Sequence, residues 1–194
     1  MKEMLSLISE FESMVKEIHG IYLDNVMGFT LTLNLVEKGQ SKVSAEISKS
    51  IDELDRLPFA HTTPGPEWER GHTETQGEFK IRMSKGGRNH IFAGNMCIIS
   101  LYQYWEDHYR SKIAQAMGGD KDALVSPIMG DIRLLRNSIV HHQGIALKAV
   151  EEAQVINWFR EDDRIEFDRA QIISIMKLVY AYINDLRKLV CTTS

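Results

Sequence analysis

An all-α fold, an up-and-down bundle of about five helices, is what this sequence predicts, and three observations carry the prediction. Apolar residues recur at helical spacing along most of the chain. Three of the four prolines gather between 58 and 87, so the remainder is free of helix breakers. The 194 residues are 43% hydrophobic and 26% charged, a globular composition near the size of one domain, which excludes collagen-like, low-complexity and disulfide-scaffold chains. With no internal repeat and no evident linker, residues 1–194 read as one domain. Its parts are N-terminal helices to 57, a loop at 58–87 and a helical core at 88–190.

Met4, Leu7, Ile8, Phe11, Val15, Ile18, Tyr22 and Val26 predict a long helix over 2–38, bent at Gly20 or Gly28. After Gly39, the pattern Ser44-Ala45-Glu46-Ile47 with Ile51, Leu54 and Leu57 predicts a second helix over 41–57, ended by Pro58. The stretch 58–87, with Pro58, Pro64, Pro66 and several glycines, reads as an irregular, partly ordered flap. Ile91, Phe92, Met96, Ile99, Tyr102, Trp105, Tyr109 and Ile113 predict a third helix over 89–117, closed by Gly118-Gly119. Ser126-Pro127 has the form of an N-cap followed by proline at the first helical position. The fourth helix runs from there to 142 on the stripe Ile128, Ile132, Leu135, Ile139, with Gly144 at its end. Two alternating runs, 155–159 and 164–167, suggest a small hairpin. Asp168 then caps a last helix to 190, with Ile172, Ile175, Met176, Val179, Tyr182, Ile183 and Leu186 facing inward.

Composition also limits function. The formal net charge of −4 gives no cationic field over the whole molecule, so any nucleic-acid site has to be local. Cys97 and Cys191 are too few for a metal or disulfide framework and suit buried positions in a reducing cytosol. Residues 26–36 are too short and too polar for a membrane helix, and the acidic N-terminus lacks a signal-peptide start, so no membrane association and a cytoplasmic location are expected. No glycine-rich phosphate loop, zinc pattern or nucleophile elbow is found, so neither cofactor nor metal is expected.

Charge is uneven along the chain. Residues 80–148 hold 10 Lys+Arg against 5 Asp+Glu, whereas the remainder holds 13 against 22. The densest polar cluster lies in this basic part, from Gly130-Asp131 through Arg133, Arg136, Asn137 and Ser138 to His141-His142-Gln143-Gly144. Guanidinium groups hold phosphate bidentately, and a neutral imidazole can take a proton from a hydroxyl and return it to a leaving group. Those parts suffice for RNA cleavage by internal attack of the 2′-hydroxyl, which needs one base, one acid and a cation at phosphorus. Arg133, Asn137 and His141 share one helix face at i, i+4, i+8. Arg136 and His141 stand about 140° apart, so they converge only if the helix loosens or the arginine reaches sideways.

Arg136-Asn137-Ser138-Ile139-Val140-His141 resembles the signature of the HEPN (higher eukaryotes and prokaryotes nucleotide-binding) superfamily. That signature is an arginine, a polar residue, and a histidine after four to six positions, late in a helix of an all-α bundle. The resemblance covers residues 88–190. It implies a homodimer in which two motifs meet in one cleft, and a metal-independent endoribonuclease of a toxin–antitoxin, phage-defence or RNA-processing system, with an antitoxin or regulator as partner. It casts His141 as base or acid, Arg136 as phosphate holder and Asn137 as the residue orienting His141, with Arg133 and His142 assisting. Glu106 or Asp107 on the preceding helix would position Arg136 or Arg110. A second match, Arg56 to His61, has leucine at the polar position and a proline inside it. A non-catalytic module that binds a nucleotide, RNA or a protein is the alternative reading. In a purely structural one the histidines cap a helix end. Arg133 and Arg136 then pair with Asp131, Glu106 or Asp107. Tyr102, Trp105 and Tyr109 read as core before base-stacking platforms.

Overall fold

The computed structural model describes residues 2–59 and 74–192, and among these it is all-α apart from one two-residue strand pair. Two compact units emerge, Met1–Leu23 with Ile91–Ser194, and Asp24–His90.

In the first unit, the start of α1 (Lys2–Ile47) buries Met4, Ile8, Phe11, Val15, Ile18 and Tyr22, the face its periodicity predicts. Against it lie α4 (Arg88–Tyr104) and α5 (Arg110–Ala116), which are continuous through a π turn at Trp105–Tyr109 and together form the expected third helix. However, α4 buries Gly94, Cys97, Ile98 and Leu101 and leaves Phe92 and Met96 of the expected stripe exposed, because Gly94 lets that side close on Phe167 and Ile172. The π turn has a packing reason. Leu101, Trp105, Tyr109 and Ile113 are all buried at four-residue spacing, which in a regular α-helix drifts about 40° per step. One extra residue in the turn removes most of that drift. Trp105 and Tyr109 then both lie against Phe11, at ring-centroid distances of 5.1 Å each, and Tyr182 meets Trp105 edge-on at 5.5 Å. These rings are core, as expected for Trp105 and Tyr109.

Helix α6 (Pro127–His141) starts where Ser126-Pro127 predicts, with Ser126 Oγ accepting from the Met129 N–H. Asp168 caps α7 (Arg169–Thr192) through a reciprocal pair: Gln171 N–H donates to Asp168 Oδ1 at 2.7 Å, and Asp168 N–H donates to Gln171 Oε1 at 2.9 Å. The predicted hairpin is absent. Residues 155–159 form no strand, and the pairing instead is a single bridge between Ile145 and Arg164, flanked by Ile165 N–H to Gly144 O at 2.7 Å. The physical reason lies on α6, where Asp131 takes the N–H groups of 154–156 that a ladder would need.

The second unit corrects the N-terminal reading. Gly39 does not end α1, which runs on to Ile47 and closes at Ser48 with φ +56°. A glycine inside a helix costs about 1 kcal/mol, and the neighbouring Gln40 offsets it. Gln40 is buried and donates from Nε2 to Asp55 Oδ1 at 2.7 Å and Gln76 Oε1 at 3.0 Å, while Lys80 Nζ donates to its Oε1 at 2.9 Å. The expected second helix therefore shrinks to α2 (Ile51–Asp55), opened by a Ser50/Glu53 capping box. The expected irregular loop contains β1 (Pro58–Phe59) paired antiparallel with β2 (Glu74–Thr75), then α3 (Gln76–Met83). Thr75-Gln76-Gly77-Glu78 is itself a capping box, with Thr75 N–H donating to Glu78 Oε2 at 2.8 Å. Phe59 stacks on Phe79 at 3.9 Å and the Arg82 guanidinium pairs with Glu74. The flap proper, 60–73, with His61 of the second motif match and His72, lies outside the described residues.

Among the described residues no helix is long and apolar enough to cross a membrane. Cys97 is buried and desolvation pushes its thiol up to about 12, as suits an inert apolar position; the side chain of Cys191 lies outside the described residues.

Candidate functional site

Helix α6 sorts its polar residues by face. Ile128, Ile132 and Leu135 are buried as predicted, and Ile139 is half-buried. Between them two polar side chains also point inward. Asp131, 2% exposed, accepts from the N–H groups of Gln154, Val155 and Ile156 at 2.9, 2.6 and 2.7 Å. Ser138, fully buried, donates to Leu134 O at 3.2 Å and accepts from Leu147 N–H at 3.1 Å. These two anchor the segment after α6. Asp131 thus serves the backbone of 154–156 and leaves Arg133 and Arg136 to other partners.

The remaining polar residues gather at the C-terminal end of α6. Arg136 Nη1 lies 3.1 Å from His141 Nε2 and 3.3 Å from Asn137 Oδ1. The helix stays α-helical through His141, so of the two ways to bring these side chains together it is the arginine that reaches sideways. A guanidinium only donates, which makes His141 Nε2 the acceptor and leaves the ring hydrogen on Nδ1. Asn137 meets the guanidinium rather than the imidazole, so it bears on His141 through Arg136. Arg136 Nε is buried with no hydrogen-bond partner, while the outer part of the guanidinium faces the exposed imidazole.

Beyond His141 the chain turns sharply. His142 leaves the helix at φ −127°, and Gln143 and Gly144 both take the left-handed conformation, at φ +55° and +80°. His142 and Gly144 donate their N–H groups to Ser138 O at 3.0 and 3.2 Å, closing the helix end. A cleft of about 400 Å³ opens there, lined by His141, His142, Gln143, Leu147, Glu161 and Asp162. The acidic pair makes that wall unfavourable to phosphate, so an anionic strand has to approach His141 from the arginine side. Glu161 and Asp162 read from sequence only as the break between two alternating runs. Their placement beside His141 follows from the Ile145–Arg164 bridge, a non-local pairing with no local signal.

A second cleft, of about 310 Å³, lies along α6 and the π turn, with Tyr102, Glu106, Arg110, Ser126 and Arg133 among its lining residues. Glu106 accepts from Arg110 Nη1 at 2.9 Å and from Lys121 Nζ at 3.3 Å. Burial raises its carboxyl, but the two cations outweigh burial and hold it below the usual carboxylate range. Burial, then the Glu106 charge, pushes the Tyr102 hydroxyl up against the opposing pull of Arg133, Arg110 and Arg136. Arg133 is exposed at the rim. Asp107 is also exposed and accepts from Gln103 on its own helix, meeting neither arginine among the described residues. Of the two expected acids, Glu106 is therefore the one bonded to an arginine, and that arginine is Arg110, four residues along the same helical stretch and not across the helix interface.

Compared with family models, curated proteins and solved structures, the chain matches none.

Proposed function

We propose that the chain is a metal-independent endoribonuclease of the HEPN type, cytoplasmic and acting as a homodimer. The observation that carries this reading is the Arg136–His141 contact of 3.1 Å at an exposed helix end, in the net-basic part of the chain. At rest the guanidinium occupies the lone pair of His141 Nε2. A scissile phosphate binding Arg136 bidentately takes the guanidinium for itself and frees that lone pair. Nε2 then accepts the 2′-hydroxyl proton, O2′ bonds to phosphorus, and the bond from phosphorus to O5′ breaks as the His141 imidazolium returns that proton to O5′. Arg136 neutralises the charge gathering on the phosphate oxygens, and Asn137 holds the guanidinium in place. Arg133 and His142 guide the flanking strand.

The products are a 2′,3′-cyclic phosphate and a 5′-hydroxyl. Incubating the purified chain with end-labelled structured RNA in EDTA and identifying the termini tests this. Cyclic phosphate ends support the mechanism, and 3′-hydroxyl with 5′-phosphate ends contradict it.

The second reading is a non-catalytic module that binds a nucleotide, RNA or a protein partner such as an antitoxin. The acidic wall of the His141 cleft, Glu161 and Asp162, favours it. Under that reading RNA or nucleotide binds with Arg136-dependent affinity and is recovered intact.

A further inference from the structure

The cleft along α6 and the π turn has the size and lining of a socket for one flat polar ring. Its volume of about 310 Å³ stands at the small end of the range in which proteins hold ligands, roughly 300–1,000 Å³. Of Tyr102, Trp105 and Tyr109, the last two are buried, whereas Tyr102 is half-buried and lines the cleft. Nucleobases stack on aromatic side chains placed in this way, and single-stranded RNA is read by such stacking together with hydrogen bonds to the base edge.

Two polar residues on the cleft wall say which base fits. Glu106 accepts one bond on each oxygen, from Arg110 Nη1 and from Lys121 Nζ, and a carboxylate has about four lone-pair sites, so each oxygen keeps one. Arg110 gives one Nη1 hydrogen to Glu106 and has Asp122 3.7 Å from Nη2, which leaves it further donors. Side by side, the two present a donor and then two acceptors. Guanine carries the complement along one edge: O6, N1–H and the 2-amino group. Uracil sets a carbonyl oxygen against the carboxylate, and cytosine and adenine set an unprotonated ring nitrogen there. The cleft also adjoins the phosphate holder. Arg133 at its rim stands about 4.5 Å along the helix axis from Arg136, and the Tyr102 hydroxyl lies in the field of both.

We propose that this cleft holds a guanine of the RNA strand, stacked on Tyr102, with Glu106 accepting from N1–H and the 2-amino group and Arg110 donating to O6. The base belongs to a nucleotide next to the phosphate on Arg136, and Arg133 meets the strand between them. That place beside the scissile phosphate rests on the ribonuclease reading. The guanine contact itself does not.

Titration calorimetry of the full chain with nucleoside 5′-monophosphates, beside sequencing of cleaved RNA ends, tests it. The wild type is expected to bind guanosine monophosphate at least about tenfold tighter than the adenosine, cytidine or uridine nucleotide. Inosine monophosphate has the same edge without the 2-amino group and should bind about tenfold more weakly than guanosine monophosphate, a comparison that leaves the protein unaltered. Glu106→Gln, with its fold checked by circular dichroism, should lose the preference for guanine. Arg133→Ala should weaken all four nucleotides alike and keep that preference. Equal affinity for the four nucleotides, equal affinity for the guanosine and inosine forms, or no binding of guanosine monophosphate overturns the proposal. A chain that prefers guanosine monophosphate yet cuts no RNA in EDTA keeps the guanine contact and overturns the ribonuclease reading. One that cuts beside every base and binds the four nucleotides alike does the reverse.

Discussion

The two faces of helix α6 use the same kinds of residue to opposite ends. On the inner face Asp131 and Ser138 are buried and their polar atoms are spent on neighbouring backbone. On the outer face Arg136, Asn137 and His141 bond, among the described residues, only to one another along the helix, and the imidazole is exposed. A polar residue with its bonding filled by the fold is scaffold. One paired only with its neighbours is available to exchange that pairing for a ligand. The cluster that reads as one motif in the sequence is thus two devices, one holding the 144–167 segment in place and one presenting a guanidinium and an imidazole.

Each substitution that breaks this division should read out differently. The largest effect is expected for Asp131→Ala, which strands three backbone donors and should cost about 3 kcal/mol or more in chemical denaturation. Asp131→Asn keeps one acceptor oxygen and should fall between it and the wild type. Ser138→Ala removes the acceptor for Leu147 N–H and should cost about 1–2 kcal/mol by the same measurement. Arg136→Ala removes a guanidinium whose Nε is already unpartnered, so its unfolding free energy should stay within about 1 kcal/mol of the wild type. If Arg136→Ala proves as destabilising as Asp131→Ala, the outer face is scaffold too.

A smaller effect lies on α1, away from either face. Burial holds the His19 imidazole below its usual value, and its Nε2 is buried without a partner. The unfolded chain therefore takes up a proton at pH values where the native one does not. Stability should decline as pH falls below about 6.5, above the range where carboxylates titrate. His19→Leu should flatten that part of a pH series of melting temperatures.

Much of the fold was legible where local signals agree. Ser126-Pro127 and Asp168 fixed the starts of α6 and α7, and the buried stripes of α1, α6 and α7 followed from period alone, whereas in α4 the helix was legible and its buried face was not. Two misreadings share a cause, a non-local partner overriding a local cue. Gly39 looks like a stop until Gln40 is seen bonded to Asp55, Gln76 and Lys80. The 155–159 run looks like a strand until Asp131 claims its donors. Only α3 had an overlooked local mark, the Thr75/Glu78 capping box. At the candidate site the sequence placed Arg133, Asn137 and His141 on one face. It left open how Arg136 reaches His141, because arginine's reach depends on a rotamer that no spacing rule reports.

The measurement that tests the account most directly is RNA cleavage in EDTA by wild type, His141→Ala and Ser138→Ala, each compared per folded molecule. His141→Ala is expected to melt like the wild type yet cut at least about a hundredfold more slowly. Ser138→Ala should melt earlier and cut at the wild-type rate while folded. A His141→Ala protein that cuts as well as the wild type would contradict it.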